Sequence, residues 1–163
     1  MADTWSAVPA ALFTGHREVV QPDWIDYNGH MNLAFYVLAF DHATDAIFEE
    51  FGLDEAYRER FNQSIFVAET HVVYLDEAMQ GDGLLFASRI LEHGDKKVRL
   101  FHEMYAEKSG ALIATIELMV LHVDLGARKV VPFAAEALAS IDAMAAAHAA
   151  LDMPDQAGRA VAM

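Results

Sequence analysis

The chain contains no cysteine, which excludes disulfide frameworks, thiolate nucleophiles and cysteine-ligated zinc at the outset. It also lacks long apolar runs. Asp, Glu, Lys and Arg repeatedly interrupt the hydrophobic stretches, well short of the roughly 20 apolar residues that a membrane-spanning helix needs. The amino-terminal segment MADTWSAVPAALFTGHREVV has an early Asp, no basic stretch and no long apolar centre. It does not read as a secretory signal, and the expected location is the cytoplasm. Basic charge is scarce as well. Lys and Arg number 11 against 25 Asp and Glu, a formal net charge of −14. That balance repels the phosphates of nucleic acids and anionic lipid surfaces, so neither is expected as a partner.

What is present suits one domain. A 163-residue chain that is 55% hydrophobic can build a genuine core. With no internal repeat or interdomain linker, a single domain over residues 1–163 is expected, its core at about 14–132. Val19 and Val20 mark a short first strand that Pro22 closes. From Met31 to Phe51 the spacing predicts a helix, with Val37, Phe40, Ile47, Phe48 and Phe51 apolar and Asp41, Asp45, Glu49 and Glu50 polar. Gly52 stops it. Residues 54–61 fit neither helical nor strand period, which leaves a short helix or an irregular connection open.

After Gln63 the period shortens to two, predicting a long strand with Ile65, Val67, Val73 and Leu75 on one face and Phe66, Ala68, Val72 and Tyr74 on the other. Three further strands are expected at Leu84 to Leu91, Val98 to Tyr105 and Leu112 to Val123. The turn signals Gly94-Asp95 and Ser109-Gly110 separate them into an antiparallel meander. Beyond Pro132, Leu138, Ile141, Met144 and Leu151 at helical spacing predict a terminal helix, followed by a frayed tail. This order calls for an α+β architecture with a helix packed on an antiparallel sheet.

The chemistry concentrates in Trp24-Ile25-Asp26-Tyr27-Asn28-Gly29-His30-Met31-Asn32, where a carboxylate, two amides and an imidazole precede the long helix. Such a junction presents unpaired backbone N–H groups and the positive end of a helix dipole, both suited to an oxyanion, and Gly29 permits close backbone approach. The same residue types also make a good helix cap and turn.

The segment resembles the signature of the acyl-CoA and acyl-ACP thioesterases of the hot-dog superfamily, carried here by Asp26, Gly29, His30 and Asn32. Tyr36 falls at the family's helix position, and Tyr74-Leu75-Asp76-Glu77 followed by Gly81-Asp82 resembles the end of its second strand. The order of elements agrees from about Arg17 to Val131. The resemblance implies a hot-dog fold, an antiparallel sheet wrapped around one long central helix, with the carboxy-terminal helix in addition. It implies that Asp26 acts on the thioester carbon, as nucleophile or by activating water, and that Asn28 and His30 orient or polarise. Glu69 or Glu77 would supply an assisting carboxylate. Glu69 continues the face of Ile65 and Val67, although a solvated strand edge explains it too. Subunits of the family pair their sheets, so a homodimer or a dimer of dimers is expected, with no cofactor beyond the CoA of the substrate.

CoA phosphates meeting so acidic a chain need a local basic cluster, and Asp95-Lys96-Lys97-Val98-Arg99 is the densest. Thioesterases resembling the hydroxybenzoyl-CoA enzymes carry basic residues near the same turn, which implies Lys96 and Lys97 as phosphate contacts, with Arg128 and Lys129 in reserve. The alternative is a solvated turn. For the acyl group, the resemblance extends to chains that accompany or are fused to carnitine-oxidising enzymes. It implies a quaternary ammonium acyl group such as a betaine thioester, and the aromatics near the signature, Trp24, Tyr27 and Tyr74, are candidates to line its pocket at about 0.5–2 kcal/mol per aromatic face. The same aromatics could instead be core, beside a short or medium neutral acyl chain.

Other chemistries are less well served. No Gly-x-Ser-x-Gly surrounds any serine, so a serine-hydrolase elbow is unsupported. His102-Glu103 lacks a second His at helical spacing, and His42 with Asp45 reads as a helix-surface pair, so no metal is expected. A hydratase on the same fold could use Asp26 and His30 as acid and base, yet those enzymes usually place the His one residue farther from the Asp. A non-catalytic acyl-CoA-binding regulator or an interaction module remains a further alternative.

Overall fold

The computed structural model describes residues 8–162. Strand β1 (Arg17–Val19) leads through a 3-10 turn at Pro22–Trp24 to helix α1 (Leu33–Glu50) and helix α2 (Glu55–Phe61). Strands β2 (Gln63–Tyr74), β3 (Gly83–His93), β4 (Lys97–Ala106) and β5 (Leu112–Asp124) follow, then the short β6 (Lys129–Val130) and helix α3 (Ala135–His148). All pairings are antiparallel in the order β1-β3-β4-β5-β2, with β6 beside the end of β5.

Helix α1 starts where Asn32 caps it, its side-chain oxygen accepting the Ala34 amide at 3.0 Å. It ends where Gly52 takes φ +73° and Leu53 N–H reaches back to the Phe48 carbonyl. Tyr36, Ala39, Phe40, Ala43, Thr44, Ile47 and Phe48 form its buried stripe. They pack against β3, β4 and β5, meeting Leu84, Phe86, Leu100, Met104, Ile116 and Val120 in one continuous core. Each fully buried Phe or Ile in this layer contributes roughly 1.5–3 kcal/mol of transfer free energy. Register shifts at Val67/Glu69, Ile90/Glu92 and Met104/Tyr105 insert bulges that bend the sheet around the helix. A curved antiparallel sheet enclosing one central helix is the hot-dog arrangement.

One open reading is decided, and four features depart from the sequence expectations. Residues 54–61, open on sequence, contain the helix α2, capped by Asp54 at the Tyr57 amide and closed by Asn62 in the left-handed region. Val37 does not join the apolar stripe and stays exposed, together with Leu33 and Leu38. In β2 the bulge at Ala68 breaks the period of two. Val67 lies opposite Val120 and Glu69 opposite Met119, so Val73 falls on the face away from Ile65 and Val67, while Val72 and Tyr74 share theirs. The tail after α3 is not frayed. Pro154 is buried, the Asp152 carbonyl accepts Arg89 at 2.7 Å, and Gly158 N–H donates to Glu117 at 2.6 Å. The core also continues past residue 132, through Phe133, Ala137 and Ile141. Helix α3 runs beside β3, where His148 accepts the Ile90 amide at 3.0 Å through Nδ1 and donates from Nε2 to the Ala11 carbonyl. Burial lowers the His148 pKa, which suits that neutral tautomer. Among the described residues, no helix is long and apolar enough to cross a membrane.

Candidate active site

The loop between the 3-10 turn and α1 is a short hairpin closed on itself. Ile25 pairs with Met31, Asp26 N–H donates to the His30 carbonyl, and Gly29 N–H donates to the Asp26 carbonyl. Gly29 sits at φ +87°, a conformation that a side chain would strain. Two bonds dock the hairpin on the rest of the fold: Met31 N–H to the Ala78 carbonyl and Asn32 N–H to the Trp24 carbonyl. The Tyr36 hydroxyl steadies the facing connection, accepting the Ala78 amide at 2.9 Å and donating to the Asp76 carbonyl at 3.3 Å.

Within this frame both carboxylate oxygens of the half-buried Asp26 are held. Oδ1 accepts the Asn28 backbone amide at 2.7 Å, and Oδ2 accepts the Asn32 side-chain amide at 3.2 Å. Asn32 thus caps α1 with its oxygen and orients Asp26 with its nitrogen, a positioning role that reading it only as part of the signature had not assigned. The signal was its place, six residues after Asp26 and one before the helix. The first turn of α1 follows directly; its Ala34 and Phe35 amides are taken by the Asn32 side chain and carbonyl, so what it presents beside Asp26 is the positive end of the helix dipole. A carboxylate fixed at both oxygens beside a helix amino terminus can attack a carbonyl carbon or take a proton from water.

The structure brings some expected residues together and separates others. His30 is half-buried, with Nδ1 3.3 Å from the Met31 carbonyl and Nε2 3.8 Å from the exposed Glu77, so Glu77 reaches the residue whose backbone carbonyl closes the Asp26 hairpin. Asn28 contributes its backbone amide, while its side chain is exposed. Glu69 lies elsewhere. The bulge turns it to the sheet face away from α1, where it lines a cavity of about 380 Å³ with His71, Arg99 and Glu117. The proposed aromatic trio does not form one wall in a single chain. Trp24 is buried and stacked on Phe35 at 5.5 Å, Tyr27 is 97% exposed, and Tyr74 stands edge-on to Tyr36 with its hydroxyl on the Leu33 carbonyl. A cavity of about 650 Å³ exists at the far end of α1, between Phe51, Tyr57 and Ala134, and touches none of the signature residues.

Lys96 and Lys97 line a cavity of about 360 Å³ at the β3–β4 turn, with Glu92, His93 and Met119. That turn is at the opposite end of the sheet from Asp26, because the hairpin contacts the chain where β2 ends and β3 begins. The separation along β3 is roughly 30 Å. Arg128 and Lys129 sit at the same far end, where β6 pairs with Val123 and Asp124.

Comparison with known proteins supplies the family. A sequence model described as the thioesterase-like superfamily matches residues 20–141. A betainyl-CoA thioesterase of Pseudomonas aeruginosa is 38% identical over 93% of this chain and 96% of its own length. An L-carnitine dehydrogenase/betainyl-CoA thioesterase of Rhizobium meliloti is 41% identical over 87% of this chain, which spans only 28% of that larger protein. A Staphylococcus aureus protein solved in complex with CoA superposes with a TM-score of 0.87 at 28% identity, over 93% of this chain and 95% of its own. The chain therefore belongs to the thioesterase-like superfamily and is a thioesterase of the hot-dog fold.

Proposed function

We propose that this thioesterase hydrolyses an acyl-CoA to the free acid and CoA, with Asp26 as the central carboxylate and a betaine-type quaternary ammonium acyl group as its substrate. The observation that carries the reaction is the Asp26 carboxylate, fixed at both oxygens immediately before the α1 amino terminus. Water oxygen ends on the acyl carbon, the C–S bond breaks, and the thiol leaves with a proton. Asp26 either forms an acyl anhydride that water then opens or removes the proton from the attacking water. His30 and Glu77 stand beside it to orient water or leaving group. The chemistry calls for no cofactor. A cationic acyl group is supported by the full-length similarity to the Pseudomonas aeruginosa protein and by the net charge of −14, which attracts it. The proposed setting is the cytoplasm.

The acyl preference is tested with betainyl-CoA, butyryl-CoA and octanoyl-CoA. Betainyl-CoA is expected to have a kcat/KM advantage of about tenfold or more, the worth of about two cation contacts in the acyl pocket. A lower value for betainyl-CoA than for both neutral substrates would sink the cationic acyl group and leave acyl-CoA hydrolysis standing.

The working unit in this reading is a dimer. Strand β2 is a twelve-residue edge whose Phe66 and Val67, beside the bulge at Ala68, are 41% and 43% exposed, an apolar stretch of the kind proteins cover. Antiparallel pairing of two such strands sets the Tyr74 end of one against the Gln63 end of the other. That brings the partner's β3–β4 turn, with its Lys96 and Lys97, toward Asp26, which the same chain's lysines cannot reach. Replacing Lys96 and Lys97 together by Ala is expected to raise the KM for CoA thioesters about tenfold, with little change for truncated pantetheine thioesters. Equal effects on both substrates would make the turn merely solvated. A fully active monomer in sedimentation would reject the shared site.

A further inference from the structure

We propose that His16, Glu18 and His42 form a binding site for a divalent transition-metal cation of the zinc class, separate from Asp26 and clipping the amino-terminal strand to α1. The three residues each offer one ligand atom, and these atoms lie within 4.8 Å of one another. Their placement follows from the fold. Glu18 lies opposite Leu84, a core residue, so its side chain faces α1. His16, two residues earlier along the extended chain, takes the same face and packs on the Phe86 ring at 5.0 Å. His42 projects from the middle of α1 to meet them, its Nδ1 2.6 Å from one Glu18 oxygen.

A plain hydrogen bond between His42 and Glu18 explains that last distance and nothing more. The other half of the cluster asks for a different partner. His16 Nε2 and Glu18 Oε2 are both out of reach of solvent, and neither has a hydrogen bond. They stand 3.6 Å apart, too long for a hydrogen bond. That spacing is close to the roughly 3.3 Å between neighbouring ligands of a tetrahedral zinc whose bonds are about 2.0–2.1 Å. Two imidazoles and one carboxylate are a donor set that binds such ions and leaves a fourth position for water. The cation takes the place of the proton shared by His42 and Glu18. Its charge enters a chain whose net charge is −14. Sequence spacing alone did not reveal the site, since His42 is 24 residues from Glu18.

The test is a calorimetric titration of chelator-treated full-length protein with zinc chloride, together with thermal melts. The wild type is expected to bind roughly one zinc per chain and to melt several degrees higher when saturated. Glu18→Gln, which keeps size, and His42→Ala should each weaken binding by at least about tenfold. His93→Gln, at the other end of the sheet, should bind as the wild type does. Asp26→Asn should also retain full zinc binding, which separates this site from the proposed catalytic reading. Melts of the metal-free variants show whether each is folded. Absence of stoichiometric binding by the wild type overturns the proposal whatever the variants do, and so does unchanged affinity in both Glu18→Gln and His42→Ala.

Discussion

Asp26→Asn is expected to lower kcat by roughly 10²–10⁴-fold, because the replacement removes the charge that attacks the thioester carbon or takes a proton from water. The fold should survive. The new amide oxygen can still accept the Asn28 amide, which keeps the turn of the hairpin. The amide nitrogen, however, now faces the Asn32 side-chain nitrogen, and two donors meet where a donor met an acceptor. Asn32 cannot simply rotate, since its oxygen caps α1 at the Ala34 amide. A stability loss of about 1 kcal/mol is therefore expected, far too little to unfold the domain. Circular dichroism and a melting curve check this. Loss of folded signal in parallel with activity would make Asp26 a structural cap in the first place. A single turnover in heavy-oxygen water then separates the two mechanisms: label in the Asp26 carboxylate marks a nucleophile, and label confined to the product marks activated water.

The chemistry-bearing segment around Asp26 and the helix α1 could be picked out from sequence because their determinants are local. Asp26, Gly29, His30 and Asn32 lie within seven consecutive positions, and their bonds are made among themselves and with immediate neighbours. Helix α1 announces itself through Phe40, Ile47 and Phe48 on one face, and four strands through a period of two between Gly-containing turns. What failed depended on long-range pairing. A single residue, Ala68, shifts the register of β2 and sends Glu69 to the opposite face, and nothing in the run Val67-Ala68-Glu69 signals which residue will bulge. The tail is ordered by Arg89 and Glu117, 63 and 41 residues away from their partners. Lys96 and Lys97 form the expected basic cluster, but only the sheet topology places them at the far end from Asp26.

The second large effect is structural. Phe40→Ala is expected to cost about 3–5 kcal/mol of stability. Phe40 is fully buried at the centre of α1, edge-on to Phe86 at 5.8 Å and stacked on the His102 ring at 6.3 Å. Removing the ring therefore leaves a cavity between the helix and the concave sheet, and the curved strands are pinned by too many pairings to collapse into it. The loss also loosens an unusual neighbour. Thr44 Oγ1 donates to the Phe40 carbonyl and receives His102 Nε2–H at 3.0 Å, while Ser88 Oγ–H donates to His102 Nδ1 at 2.6 Å. This closed chain satisfies a neutral imidazole in the core, and burial pushes its pKa down to about 3. Water admitted to the cavity would compete for these bonds, so the measured cost should fall at the upper end of the range rather than near the cost of an isolated methylene. Urea denaturation provides the measurement: the midpoint should drop with an unchanged m-value, while the kcat of the folded variant changes far less than in Asp26→Asn. A stability within about 1 kcal/mol of the wild type would mean that the sheet relaxes onto α1, and that the central helix is not held by close packing at Phe40.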